Sequence, residues 1–283
     1  MSDFLIFLLA ALGLIGIIML GFFISPRPFR AHPRPSAPGE PAPLRPDLPE
    51  PAYSHFVKTL GPNPPRIESA VIWGRGRLCI RGVWFPLRFK SWYRPGESFY
   101  RRMEITWYQR PIFRGFVSYI DGKGALGFGG KTERGSRIDQ GQNLTLWAEA
   151  VWTPSVFVHD PRIRWEQLDE ESVRLIVPFG EAEDSLTLYF DPSTRRMTHL
   201  IAMRLVTDAE DAAPEKEVWR MDLLTWKEFD LASPAGTGER LSLLIPDQIS
   251  FARGEAGSPW AYWSVDGAAY NVSVDDQLRE PLD

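Results

Sequence analysis

The residues that most often carry out chemistry in proteins are few in this sequence, and they are scattered. The four histidines show no HExxH or other metal-ligand spacing, no GxSxG motif is present, and the single cysteine, Cys79, lies in a strand-like pattern. Zinc sites and nucleophilic centres need such groups at fixed spacing. The sequence therefore predicts no metal site, no cofactor and no enzymatic activity.

Two glycine-rich stretches resemble phosphate-binding loops. Residues 122–127, Gly-Lys-Gly-Ala-Leu-Gly, spell GxGxxG, and residues 130–132, Gly-Lys-Thr, resemble the end of a P-loop. Both motifs function only where a strand leads through the loop into a helix. The residues after Phe128 are rich in glycine and polar side chains and have no helical period, so this region predicts a turn between strands.

Glu149 is the one charged residue in an otherwise apolar stretch, residues 143–154. Apolar side chains in this stretch recur at helical spacing: Leu144, Trp147, Ala148 and Val151. Leu146 and Ala150 make the opposite side apolar as well. The stretch therefore predicts a central helix that is covered on several sides and ended by Pro154.

The apolar surroundings of Glu149 leave three interpretations open, because a buried carboxylate must pair, accept hydrogen bonds or become neutral. The first is an ion pair with an arginine from the strands between residues 66 and 137. The second is a polar group at the bottom of an apolar ligand cleft. General acid or base catalysis is disfavoured, since no second catalytic group is identifiable.

Most of the chain after residue 66 alternates apolar and polar side chains with a period of two, as half-buried antiparallel strands do. Hairpin turns are predicted at residues 94–97, 121–122 and 266–267, and an acidic loop at 208–217. About ten strands with one or two helices indicate an α+β domain. We expect a large curved antiparallel sheet, a half-barrel, wrapped around the central apolar helix.

The N-terminal part of the chain predicts attachment to a membrane. Residues 1–24 include a 21-residue uncharged run, long enough to cross a bilayer as a single-pass anchor. Residues 25–50 contain nine prolines and predict an extended linker that spans up to about 75 Å. Residues 51–283 are predicted to form a single domain. Arginines directly follow the apolar run, and the positive-inside rule favours a cytoplasmic domain.

Charge is distributed unevenly along the chain. Residues 66–137 hold 15 Lys and Arg against 5 acidic residues, whereas residues 138–283 hold 12 against 27. One interpretation is attraction between two halves of one sheet, and the other is a basic face for anionic lipid or an acidic partner. No nucleic-acid-binding motif accompanies the basic segment, so nucleic acid is not expected as a partner.

Several short strings in this sequence occur in an order that resembles a known family. They are Leu48-Pro-Glu-Pro51, Gly82-Val-Trp-Phe-Pro86, Asp121 with Gly122-Lys-Gly124-Ala-Leu126, Ala148-Glu-Ala-Val-Trp-Thr-Pro154, Arg164-Trp-Glu166 and Leu244-Ile-Pro246. The order resembles a bacterial family of membrane-anchored domains of unknown function, with AEAVWxP as its most specific string. At the level of the fold, that family is similar to the LolA/LolB-like half-barrel of lipoprotein carriers.

The resemblance implies where the central helix points. Trp147, Val151 and Trp152 are expected to project into the concave side of the sheet, and with Glu149 they are the candidate residues of a ligand cleft. The favoured function is then a membrane-tethered, non-enzymatic domain that binds an apolar or lipid-like ligand. The alternative is a structural or assembly module whose core is filled by its own side chains and which acts through protein partners.

Overall fold

A computed structural model describes residues 2–33, 36–37, 39–206, 215–231 and 241–279. The helices are α1 Ser2–Phe23, α2 Glu50–Leu60, α3 Ser136–Ala148, α4 Ser155–His159 and α5 Asp275–Arg279. The strands are β1 Ala70–Ile80, β2 Val83–Arg94, β3 Ser98–Trp107, β4 Arg110–Ile120, β5 Lys123–Phe128, β6 Lys131–Glu133, β7 Arg164–Gln167, β8 Ser172–Phe179, β9 Ala182–Asp191, β10 Arg196–Leu205, β11 Lys216–Leu231, β12 Leu241–Arg253 and β13 Pro259–Tyr270. Most of the acidic loop predicted at 208–217 lies outside the described residues.

All the described strands form one antiparallel sheet with the order β6-β5-β4-β3-β2-β1-β13-β12-β11-β10-β9-β8-β7. Helix α3 packs against β4 and β5 on one side and against β8, β9 and β10 on the other. A helix can contact strands this far apart in the order only if the sheet curls around it. The predicted fold class, a curved antiparallel half-barrel around a central apolar helix, is confirmed.

Two of the three predicted hairpin turns are present. Residues 121–122 connect β4 to β5 with positive φ angles at both positions, as a two-residue hairpin turn requires, and the Glu97 amide donates to the Arg94 carbonyl in the other turn. The prediction of a turn at residues 266–267 was wrong, because these residues lie within β13. Gly267 lies beneath Trp73, where a Cβ atom would come within 2.3 Å of the indole ring.

Helix α3 begins seven residues earlier than the apolar period indicated, at Ser136. The first half of the helix is polar, and its buried amides bond to strand backbones instead of water. Gln140 Nε2 donates to the Met203 carbonyl and its Oε1 accepts from the Leu205 amide, while Asn143 Nδ2 donates to the Pro178 carbonyl. These partners are remote in sequence, so no local pattern reveals them.

The helix tightens at its end into a 3₁₀ turn, Glu149–Trp152. Thr153 then leaves the helical region with φ −131° and ψ 53°, and α4 begins after Pro154. The proline ring disfavours helical backbone at the residue before it. The prediction that Pro154 ends the central helix is confirmed.

The strands have two ends, and we call one of them the proximal end of the sheet. It carries the turns at residues 81–82, 108–109, 129–130 and 254–258, together with the end of β10 and the start of β11. Helix α1 docks there through its C-terminal turns. Trp107 Nε1 donates to the Ile18 carbonyl at 2.9 Å, and the Tyr108 hydroxyl donates to the Ile17 carbonyl at 2.7 Å. The rest of α1 is largely exposed, and its length and hydropathy suffice to cross a membrane.

The described part of the proline-rich linker runs along the convex face of the sheet. The Arg27 and Arg30 carbonyls accept from Arg88 and Lys90, and the Ala37 amide donates to the Tyr270 carbonyl. An extended proline-rich chain keeps its carbonyls free to accept hydrogen bonds. The length of the linker would allow it to hold the sheet about 75 Å from α1. Instead, the linker lies against the sheet.

Candidate ligand-binding cleft

A cleft of about 500 Å³ lies between α3 and the concave face of the sheet, towards the proximal end. Its lining is mainly apolar and comes from strands on both sides of the helix. Side chains of the wall include Leu78, Leu87, Ile105, Val117, Trp219 and Phe251. Both its volume and its mostly apolar lining are those of sites that take one small molecule.

The predicted site residues are divided between this cleft and the packed core. Glu149 lines the cleft, whereas Trp147, Val151 and Trp152 do not. These three side chains are buried with the core residues that fill the distal half of the concave face. Trp152 stacks against Phe89 with ring centroids 6.2 Å apart, and its Nε1 donates to the Pro246 carbonyl.

The floor of the cleft is a fully paired buried network around Glu149. Arg101 Nη1 and Nη2 donate to the two carboxylate oxygens at 2.8 and 2.6 Å, in the bidentate geometry that favours this pair. The Tyr93 hydroxyl donates to Glu149 Oε2, and Arg101 Nε donates to Ser91 Oγ. The predicted ion pair between Glu149 and an arginine of the 66–137 strands is confirmed.

Burial and charge act in opposite directions on this network. Burial lowers the pKa of the Arg101 guanidinium, but the charge interactions and hydrogen bonds with Glu149 and Tyr93 together raise it by more, so the pKa lies above its usual value. Burial raises the pKa of the Tyr93 hydroxyl, which therefore stays protonated. The rings of Phe89, Trp152 and Trp263 surround the guanidinium at 5.2 to 5.8 Å. The network is a rigid structural floor with a paired charge.

Arg204 is a second cleft arginine with a different environment. Its guanidinium carbon lies 3.7 Å from the centroid of the Trp219 ring, and Nη2 donates to Thr145 Oγ1 at 2.6 Å. Within the described part of the chain, no carboxylate lies within 4.0 Å of it, and its Nε has no hydrogen-bond partner. Burial lowers the pKa of Arg204, yet a guanidinium remains cationic at neutral pH.

Sequence reasoning missed Arg204, although one signal was present. In β10, Leu200, Ala202 and Arg204 share one parity, and the first two are buried. Alternation therefore places this arginine on the concave face. Its relation to Trp219 depends on strand pairing and had no local signal.

Metal-binding side chains do not gather at the cleft. Across the described ranges, no group of three His, Cys, Asp or Glu side chains is placed to hold a metal ion. The candidate chemistry of the cleft is thus recognition by apolar contact and by arginine.

Comparisons with known proteins give one family and distant structural likenesses. A DUF1329 family protein from Desulfovibrio piger is 12% identical, with 76% of this chain and 90% of that chain covered and a TM-score of 0.38. A LolA superfamily protein from Nitrosomonas europaea is 10% identical, with 77% and 92% covered and a TM-score of 0.41. No curated protein matches the sequence. Residues 41–244, more than half of the chain, match the family of unknown function DUF6544, and the chain belongs to that family.

Proposed function

We propose that this protein is a membrane-tethered, non-enzymatic domain that binds an apolar, lipid-like ligand in the cleft. The observation that carries the proposal is the cleft itself, about 500 Å³ of space with an apolar lining. A module filled by its own side chains has no such space. An apolar cavity of this size gains free energy when hydrocarbon replaces water in it.

The position of the cleft supports exchange with a bilayer. Its wall includes Leu78, Leu205 and Trp260, all near strand ends at the proximal end, where α1 docks. Apolar side chains near the same turns are exposed, with Ile112 at 42% and Phe113 at 50%. With α1 in the membrane, we expect the cleft to open near the lipid surface.

Gly141 provides a way to close the cleft without disturbing the core. It lines the cleft from α3, and an added Cβ atom would meet nothing within 4 Å. The series Gly141→Ala, Gly141→Leu and Gly141→Trp therefore fills the space in steps. Ser136→Trp, at the exposed start of the same helix, is the matched control.

The test uses the full chain in phosphatidylcholine nanodiscs and the methyl ester of cis-parinaric acid, a neutral fluorescent hydrocarbon probe. Energy transfer from the cleft tryptophans reports binding, with empty nanodiscs as background. We expect saturable binding that Gly141→Trp reduces at least tenfold and Ser136→Trp leaves unchanged. Absence of saturable binding, or equal binding by all variants, would overturn the proposal in favour of a self-filled module.

The membrane tether is tested separately. We expect the full chain to stay with membranes during alkaline carbonate extraction and a chain lacking residues 1–24 to be released. Release of the full chain would contradict an uncleaved anchor. A reporter fused after the last residue then gives the orientation, and the charge rule favours a cytoplasmic signal.

A further inference from the structure

The concave wall next to α3 contains several N–H donors that lack an acceptor among the described residues. Arg204 carries five N–H donors, and the single acceptor recorded for them is the neutral hydroxyl of Thr145. In the same wall, the indole Nε1 atoms of Trp219 and Trp260 and the Nε atom of Arg204 are buried without a partner among the described residues. Buried donors without acceptors cost free energy until an acceptor is supplied.

The two carboxylates that line the cleft are engaged with other arginines. Glu149 is bound by both Nη atoms of Arg101, and Glu217 lies 3.5 Å from Arg253 Nε. Neither lies within 4.0 Å of Arg204. Arg204 is thus a cation in an apolar cleft with no carboxylate of the described residues within 4.0 Å, and Glu149, Asp184 and Glu217 act on its charge only from farther away.

We propose that the ligand of the cleft is an amphiphile with one hydrocarbon chain and one anionic head, whose carboxylate or phosphate oxygens pair with Arg204. A planar guanidinium matches two such oxygens, and the pair strengthens where water is excluded. The hydrocarbon chain then lies against Leu87, Ile105 and Val117 on the opposite wall. This inference rests on the proposed function and names the ligand class of the same cleft.

The stacked Trp219 ring makes Arg204 suited to this role. A guanidinium held 3.7 Å above an indole ring has few orientations left, so it loses little freedom when a ligand binds. Arg204 also remains partly accessible, whereas the Nε1 atoms of Trp219 and Trp260 are buried. A head group therefore reaches the guanidinium from the cleft side.

The experiment compares cis-parinaric acid with its methyl ester on the full chain in phosphatidylcholine nanodiscs. The two probes share one chain and one fluorophore and differ in the charge of the head. We expect the wild-type protein to bind the acid at least tenfold more tightly than the ester. In Arg204→Gln the acid should bind as weakly as the ester, whose binding should stay within twofold of wild type, and Arg204→Lys should keep part of the preference.

Arg220→Gln is the matched control. Arg220 lies beside Trp219 on β11 but pairs with Asp222, so its loss should leave the preference for the acid unchanged. Equal binding of acid and ester by the wild type, or a preference that survives in Arg204→Gln, would overturn the inference while leaving the apolar cleft intact. Failure of both probes to bind would instead overturn the proposed function. A thermal unfolding curve for each variant separates loss of binding from loss of fold.

Two sources of anionic head are distinguished by competition. Palmitate, with a carboxylate, and lysophosphatidic acid, with a phosphate, are each added against bound cis-parinaric acid. Displacement by either supports the inference and identifies the head group. Displacement by neutral lysophosphatidylcholine with equal strength contradicts it, because that lipid has no net charge for Arg204 to select.

Discussion

The proximal and distal halves of the concave face use similar side chains in opposite ways. In the distal half, Trp147, Trp152 and Phe157 are packed into the core, Phe157 against Phe56 of α2, and all three are almost completely buried. In the proximal half, Trp219, Trp260 and Phe251 form part of the cleft wall, and Trp219 and Phe251 are only 4% and 3% exposed. The aromatic excess of the sequence therefore serves packing in one half and a cleft wall in the other.

Arg101 and Arg204 show the same contrast. Arg101, at the boundary between the halves, has a bidentate carboxylate and two hydroxyl partners. Arg204, in the open half, has one hydroxyl. An arginine that is paired with a carboxylate has a structural role, whereas a guanidinium without a salt bridge can still bind an anionic group of a ligand. The distal half thus has the self-filled core that one functional hypothesis expected, and the proximal half has the cleft that the other expected.

The largest expected effect is at the boundary network. Glu149→Ala leaves Arg101 buried without a counter-ion, which should lower the free energy of unfolding by about 3 to 5 kcal/mol. Urea unfolding of the full chain in detergent measures this. Arg204→Gln removes no ion pair and should change stability by less than about 1 kcal/mol. Equal losses in the two variants would remove the distinction between the arginines.

Nearly as large an effect is expected in the distal core. Trp147→Ala should cost about 3 to 5 kcal/mol, because its side chain is enclosed and the space cannot collapse fully. Met103→Ala, in the cleft wall, should cost about 1 kcal/mol and should weaken probe binding. The comparison between halves fails if Trp147→Ala is tolerated while Met103→Ala unfolds the protein.

The distal core should also be sensitive to acid through His55. Burial lowers the pKa of this imidazole to about 4, and the Met197 amide donates to its Nδ1 atom. Between pH 6.5 and 4 the unfolded chain binds a proton that the folded chain does not. The free energy of unfolding therefore decreases as the pH is lowered through this window, by about 3 kcal/mol from this group. Unfolding of wild type and His55→Gln at pH 7 and pH 4.5 measures the difference, and an equal fall in both would exclude His55 as its source.

The smallest effect expected is a gain at the cleft. Gly141→Ala should stabilise the protein by about 0.5 to 1 kcal/mol, because alanine favours a helix and its Cβ atom meets open space. Gly124→Ala should destabilise it, since there the new Cβ would lie 2.5 Å from the Ile138 carbonyl oxygen. Thermal unfolding compares the two, and a loss of stability in Gly141→Ala would show that the cleft is filled at that point.

The same contrast explains which parts of the site were predictable. Period-two patterns and the Pro154 break identified the sheet and the central helix, because these signals are local. The start of α3 at Ser136 was missed because Gln140 and Asn143 find their partners on β10 and at Pro178. The turn at 266–267 was misassigned because Gly267 serves close packing against Trp73.

The sequence by itself determined an apolar N-terminal helix, an antiparallel α+β fold and a buried Glu149 whose carboxylate must pair, accept hydrogen bonds or become neutral. These follow from hydropathy, periodicity and the cost of burying a charge, which act over a few residues. Tertiary structure alone decided that Arg101 is the partner, that Trp147, Val151 and Trp152 fill the core, and that Arg204 lies over Trp219 in an open cleft. Those choices depend on which strands become neighbours when the sheet curls, and that is settled by packing between residues far apart in the chain.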